Sequence, residues 1–144
     1  MRKTAAKPVD LPATPMVLCP MWLEATLLPV DRAMKSIFTR IIDGDLPAKV
    51  FYETDEVIVI ADHRPRHAVH LLIITKNEYP DFQHTPPEAI AVCMETAKLV
   101  AERLGIADHY QLAINNGLGQ EVAHFHVHFM SNRGAERLRW IRER

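Results

Sequence analysis

Residues 122–130 read Val122-Ala123-His124-Phe125-His126-Val127-His128-Phe129-Met130. Histidine and apolar residues alternate strictly from His124 to Phe129. Successive side chains of a β-strand point to opposite faces, so the stretch predicts a strand over Val122 to Met130 with three imidazoles on one face. Phe125, Val127 and Phe129 form the other face, which calls for helices packed on it. A sheet anchored on one side and chemically active on the other follows from this single run.

Two strand rises separate neighbouring histidines, about 6 to 7 Å, a spacing that suits a phosphoryl group held between them. A neutral imidazole is a competent nucleophile near pH 7 and can form a phosphoramidate with phosphorus. Its neighbours can donate hydrogen bonds to the oxygens that gain charge. Just upstream, Asn115-Asn116-Gly117-Leu118-Gly119-Gln120 is a loop whose glycines let backbone N–H groups approach an anion closely. Two different roles for the imidazoles stay open beside this one. Three histidines on one face could be structural, which is uncommon for a polar side chain on a packed strand. Two of them could also bind zinc or another divalent ion with His70 from a neighbouring strand. Against a metal stands the want of a carboxylate nearby: Glu121 shares the strand parity of Phe125 and is expected to point away.

Outward from this strand, Ser36 stands ahead of Ile37, Phe38, Ile41 and Ile42, apolar at helical spacing, with Asp43-Gly44 as a stop. A short helix is expected there. Val50-Phe51-Tyr52 and Val57-Ile58-Val59-Ile60 flank Glu53-Thr54-Asp55-Glu56 as a hairpin. Leu71 to Thr75 is apolar enough for an interior strand. Thr85 ahead of Pro86-Pro87, and an apolar pattern ending before Gly105, predict the long helix with Thr85 as its cap. Tyr110 to Asn115 completes about five strands. Strands joined by short turns, with helices inserted rather than alternating, give an α+β fold on an antiparallel sheet.

Residues 1–33 hold five of the ten prolines and show neither helical nor strand period, so they read as an irregular extension. Met34 is a second possible start, and the domain proper is expected over 34–144. The N-terminal basic pair lacks an uninterrupted apolar run behind it, which argues against a secretory signal. No apolar run nears the roughly 20 residues of a membrane helix. Seventeen basic and eighteen acidic residues leave a net charge of -1, so no overall field recruits nucleic acid or an anionic membrane. Cys19 and Cys93 are too isolated for a disulfide framework, which favours the cytoplasm. His63, His67, His84 and His109 fall in loops or at element ends and are assigned to solvent. Residues 133–144 carry five arginines and Trp140 and read as a solvated tail.

The run His124-Phe-His126-Val-His128-Phe129-Met130 resembles the motif of the histidine-triad (HIT) family. Ile37-Phe38, Ile41-Ile42, Leu46-Pro47-Ala48, Asp62-x-x-Pro65, His70, Asn115-x-Gly117 and Gly119-Gln120-x-Val122 occur in that family's order, over roughly residues 36 to 130. The resemblance implies a purine nucleotide hydrolase or transferase, with His126 as the nucleophile that becomes nucleotidylated at the α-phosphate. It implies that His128 and His124 contact phosphate or support the nucleophile, and that His70 is a fourth histidine of the site. Asp62 would hold the ribose hydroxyls, and Ile37, Phe38, Ile41 and Ile60 the base. Asn115, Gly119, Gln120 and Val122 would form the phosphate-side loop. The implied substrate is a phosphoramidate such as an adenylyl amide; a dinucleoside polyphosphate, or binding without turnover, are the alternatives. No cofactor and no metal are expected: some members hold zinc through an N-terminal Cys-x-x-Cys, and the matching positions here are Ser36 and Thr39. Relative to the purine phosphoramidase branch the Asn115 to Gln120 loop is about two residues shorter, and Glu121 replaces a frequent serine. A homodimer through the long helix and the Tyr110 to Asn115 strand is also implied.

Overall fold

The computed structural model describes residues 35–143; the extension expected over residues 1–33 lies outside them. The first helix, α1 (Ile37–Ile42), is capped by Ser36, whose hydroxyl accepts from the Thr39 amide at 3.0 Å. Strands β1 (Lys49–Glu53) and β2 (Val57–Ala61) form an antiparallel hairpin. Thr54 closes it, its hydroxyl accepting from the Glu56 and Val57 amides. Strand β3 (Val69–Thr75) is buried along its whole length. It is followed by α2 (Pro87–Leu104), β4 (Gln111–Ala113), β5 (His126–Ser131), a 3-10 turn at Ala135–Arg137 and β6 (Arg142–Glu143). The sheet is antiparallel in the order β4-β5-β3-β2-β1-β6.

Period-two alternation in β2, β3 and β5 sorts the core into two layers. On one face Val57, Val59, Val69, Leu71, Ile73, Phe125, Val127 and Phe129 pack with Cys93, Ala97, Val100 and Leu104 of α2. On the other, Ile58, Ile60, Leu72 and Ile74 pack with Val50 and with Phe38 of α1. A bulge between Val50 and Tyr52 breaks the alternation of β1, so that Phe51 and Tyr52 both reach the helix layer. Burial in that layer pushes the Cys93 thiol up to about 12, which makes it an inert core residue.

The α+β architecture agrees with the sequence reading, with three differences in detail. Among the described residues six strands are present rather than about five. The sixth comes from the C-terminal segment read as a solvated tail: Arg142 and Glu143 pair with Val50 and Lys49, and the Ile141 amide donates to the Val50 carbonyl at 2.8 Å. Trp140 sets its ring edge on Phe51, and Arg142 forms an ion pair with Glu53. The strand expected from Val122 begins only at His126, because the Phe125 amide donates to the Tyr79 carbonyl at 2.7 Å and the His124 amide turns back to the Val122 carbonyl. Finally, Pro86 rather than Thr85 occupies the cap position of α2, and the Thr85 hydroxyl donates to the Asp81 carbonyl.

Candidate functional site

On the face opposite α2 lies a cavity of about 810 Å³. Register places the histidines there: His126 and His128 of β5 stand opposite Ile74 and Leu72 of β3, and His70 stands opposite Met130. All three line the cavity, together with Asp62 just beyond β2. Of the apolar residues expected around a base, Ile37, Phe38, Ile41 and Ile60 line the same space. Phe38 and Ile60 are buried, whereas Ile37 is 53% exposed. Asn115, Gly119 and Val122 of the expected loop also line it. Gly117 and Gly119 adopt φ values of 74° and 73°, a left-handed backbone that glycine takes without strain.

The hydrogen bonds determine where each imidazole carries its proton. Burial is the leading cause that lowers the pKa of His70, His124, His126 and His128, so the neutral rings dominate at pH 7. The His126 Nδ1 lies 2.7 Å from the His124 carbonyl oxygen. A carbonyl only accepts, hence Nδ1 carries the hydrogen and Nε2 keeps its lone pair. The Arg66 amide donates to His70 Nδ1 at 3.1 Å, which leaves the proton of His70 on Nε2. That N–H faces His128 Nδ1 at 3.0 Å and Asp62 Oδ2 at 3.2 Å. His128 therefore accepts at Nδ1 and carries its own proton on Nε2. Two adjacent rings, 5.1 Å apart between centroids, thus have opposite polarity: His126 offers an electron pair and His128 a hydrogen.

His124 stands behind this pair. It is fully buried, does not line the cavity, and donates from Nε2 to the Thr75 carbonyl at 2.6 Å. Its Nδ1 lies 2.6 Å from the Ser36 hydroxyl. Phe38 sets its ring edge against both His124 and His126, at 5.7 and 5.0 Å. His124 lies on the same side of the sheet as His126 and His128, against Ser36 and Phe38 of α1, but it precedes the strand and stands behind the cavity rather than in its wall.

For the same reason the parity argument for Glu121 fails: the residue is outside any strand and lines the cavity. Gln120 goes the other way. Its amide donates to the carbonyls of Pro80 and Val122, and its oxygen accepts from the Gly117 amide, so it shapes the loop rather than the cavity wall. The carboxylate missed in weighing a metal is Asp62, whose oxygen lies within 4.8 Å of a nitrogen from each of His70 and His128. The proton fixed on His70 Nε2 by the Arg66 amide opposes a metal at this cluster, since a ligating imidazole must present a lone pair. Ser36 and Thr39 offer hydroxyls already spent in hydrogen bonds, and neither is a zinc ligand of the usual nitrogen, sulfur or carboxylate kind.

Sequence reasoning found Ser36 as a helix cap and as a position where a zinc-binding cysteine is missing, and did not find Glu78 or the Arg66 amide at all. The Ser36 amide donates to Glu78 Oε1 at 3.1 Å, and the Thr39 hydroxyl donates to Glu78 Oε2. Nothing local in the sequence signals a contact across some forty residues. His63, His67 and His84 are exposed as expected. His109 is partly buried, with Nε2 2.6 Å from Asn132 Oδ1. Among the described residues no helix is long and apolar enough to cross a membrane.

Comparison with known proteins agrees with this geometry. The HIT domain model matches residues 43–135. A HIT-like protein of Chlamydia pneumoniae is 40% identical over 103 residues, 68% of this chain and 94% of that protein. Adenylylsulfatase HINT3 of Arabidopsis thaliana is 33% identical over 112 residues, 74% of this chain and 56% of the relative. The crystal structure of a HIT family hydrolase from Legionella pneumophila superposes with a TM-score of 0.65 at 31% identity, covering 69% of this chain and 94% of that one. The matched segment runs from the end of α1 through β5 and contains every histidine of the cavity, and the chain belongs to the HIT domain family.

Proposed function

We propose that this chain is a nucleotide hydrolase or transferase that cleaves at the α-phosphate of a purine nucleotide through a nucleotidyl-His126 intermediate. The observation that carries the reading is the proton on His126 Nδ1, held by the His124 carbonyl, which leaves Nε2 free at the cavity. The lone pair of Nε2 attacks phosphorus, a P–N bond forms, and the bond to the leaving group breaks with its electron pair departing on that group. The His128 Nε2–H is placed to donate to a phosphoryl oxygen as charge develops. Water then cleaves the P–N bond and regenerates the free imidazole.

The remaining roles follow from the same cavity. Ile37, Phe38, Ile41 and Ile60 offer apolar surface to a base. Asp62 accepts from the Arg64 amide with Oδ1, and a carboxylate has acceptor capacity left for ribose hydroxyls. His70 acts through His128, whose tautomer it sets. Asn115, Gly119 and Val122 lie on the phosphate side. A phosphoramidate is the leading substrate. Arg64 and Arg66 also line the cavity and favour a second reading, in which a longer phosphate chain or another anionic leaving group lies against them. The adenylylsulfatase relative makes adenylyl sulfate, with sulfate as the leaving group, a third substrate to try. The outer edge of β4, the last strand on its side of the sheet, together with α2, is the surface we assign to a homodimer.

The test is mass spectrometry of protein mixed with an adenosine phosphoramidate under conditions that preserve acid-sensitive adducts, for wild type and His126→Ala. A mass gain of one adenylyl group in wild type alone is expected. Binding of nucleotide with neither adduct nor turnover, for the phosphoramidate, a diadenosine polyphosphate and adenylyl sulfate alike, would leave a nucleotide-binding protein and overturn the catalytic reading.

A further inference from the structure

We infer that Ser36 is a positioning residue: its hydroxyl, held by the Thr39 amide beside Glu78, locks His124 in one tautomer and thereby sets the carbonyl that orients His126. The inference rests on the catalytic reading above for its kinetic consequence and on geometry alone for the rest.

The Ser36 hydroxyl hydrogen faces two acceptors, Thr39 Oγ1 at 3.2 Å and His124 Nδ1 at 2.6 Å, and the nearer takes it. The Thr75 carbonyl accepts from His124 Nε2 at 2.6 Å, so the neutral ring has a bare Nδ1. That nitrogen is completely buried with its residue and needs a donor. Ser36 Oγ lies 2.6 Å away and is the group that supplies one. Ser36 Oγ also accepts from the Thr39 amide at 3.0 Å, which fixes the oxygen and turns its hydrogen toward His124. Glu78 accepts from the Ser36 amide and the Thr39 hydroxyl, so the hydroxyl of Thr39 does not compete for the ring. The ring of His124 is thereby clamped between α1 and the end of β3. This matters because residues 122–125 lack the sheet ladder that would otherwise hold their backbone, and the His124 carbonyl is the sole partner of His126 Nδ1 among the described residues. Without the clamp the His126 proton is free to move to Nε2 and remove the nucleophile.

Helix capping is the ordinary role of a serine at this position, and the two roles separate by substitution. Glycine is tolerated at a cap at a cost of only a few tenths of a kcal/mol but has no hydroxyl, whereas threonine retains both functions. Nitrogen NMR of ring-labelled histidines reports the tautomers without substrate. In wild type and Ser36→Thr, His126 is expected protonated at Nδ1 and bare at Nε2. In Ser36→Gly, His124 and His126 are expected to exchange between tautomers, and the rate of adenylyl transfer to His126 is expected to fall about tenfold, the loss of one buried hydrogen bond. If Ser36→Gly keeps the wild-type tautomers the inference is overturned, whatever the rate. If the tautomers change while wild type itself never forms an adduct, the clamp stands and the catalytic reading fails.

Discussion

The two faces of β3 and β5 are built from the same backbone ladder and differ in what burial asks of them. On the α2 face Leu71, Ile73, Val127 and Phe129 are at most 1% exposed, and apolar burial is satisfied by close packing with no directional requirement. On the cavity face His70, His124 and His126 are nearly as inaccessible, yet each ring nitrogen pointing into the protein has a named partner. No buried side-chain nitrogen or oxygen lacks a hydrogen bond among the described residues. The contrast teaches that one face sets how firmly the sheet holds together, while the other is specified proton by proton. Substitutions on the two faces should therefore fail differently.

Phe129→Ala gives the largest expected effect on stability. The ring is fully buried and stacks on Tyr110 at 5.0 Å, and truncating such a side chain costs about 3–5 kcal/mol. Urea denaturation should show that loss for Phe129→Ala and about 1 kcal/mol for His126→Ala, which gives up one hydrogen bond and a smaller volume. Equal losses in the two variants would break the contrast between a packing face and a chemical face.

The edge of the sheet sharpens the comparison. Trp140 packs against Phe51 at 6.4 Å, with the Lys49 ammonium 5.8 Å from its ring centre. It is only partly buried, so Trp140→Ala should destabilise by about 1–3 kcal/mol, less than Phe129→Ala. The same denaturation measurement checks it, and no loss at all would return the C-terminal segment to the solvated tail that its arginines suggest.

That segment also marks where the sequence stopped being legible. Alternation from His124 to Phe129 and the apolar runs of β2 and β3 are local patterns, and they identified the sheet, its two faces and the cavity-lining His126 and His128, whereas Ile60 and Phe38 were assigned to the site by resemblance. Asp62 and His70 were placed in the site by resemblance, since nothing near them in sequence says that they meet. The two-residue strand β6 has no period to read, and its pairing with β1 is a contact between the two ends of the domain. The start of β5 was misread because alternation in sequence continues past the point where the backbone leaves the ladder for Tyr79. Glu121 was misplaced for the same reason: with the strand beginning at His126, parity does not reach back to it, while Gln120 had been assigned to the loop by resemblance.

The smallest expected effect is the pH dependence of stability, and it belongs to the cavity face alone. Burial lowers the pKa of His70, His124, His126 and His128 below the ordinary imidazole value of 6.5, whereas the α2 layer is built of apolar side chains. Above about pH 6.5 these rings are neutral in both folded and unfolded chains, and they contribute no pH dependence. Below it the unfolded chain takes up protons that the folded chain refuses, so stability falls as the pH drops toward the lowered folded values and stops falling on their account beneath them. Urea midpoints should therefore fall between pH 7.5 and 5.5. Replacing His124, the most enclosed of the four, by phenylalanine should flatten that slope even as it lowers stability overall by removing two hydrogen-bonding nitrogens. Phe129→Ala should lower the midpoint equally at both pH values, because the helix face has nothing there to titrate. A slope that survives unchanged in His124→Phe would mean that His124 does not refuse the proton and that the pH dependence belongs to His70, His126 and His128.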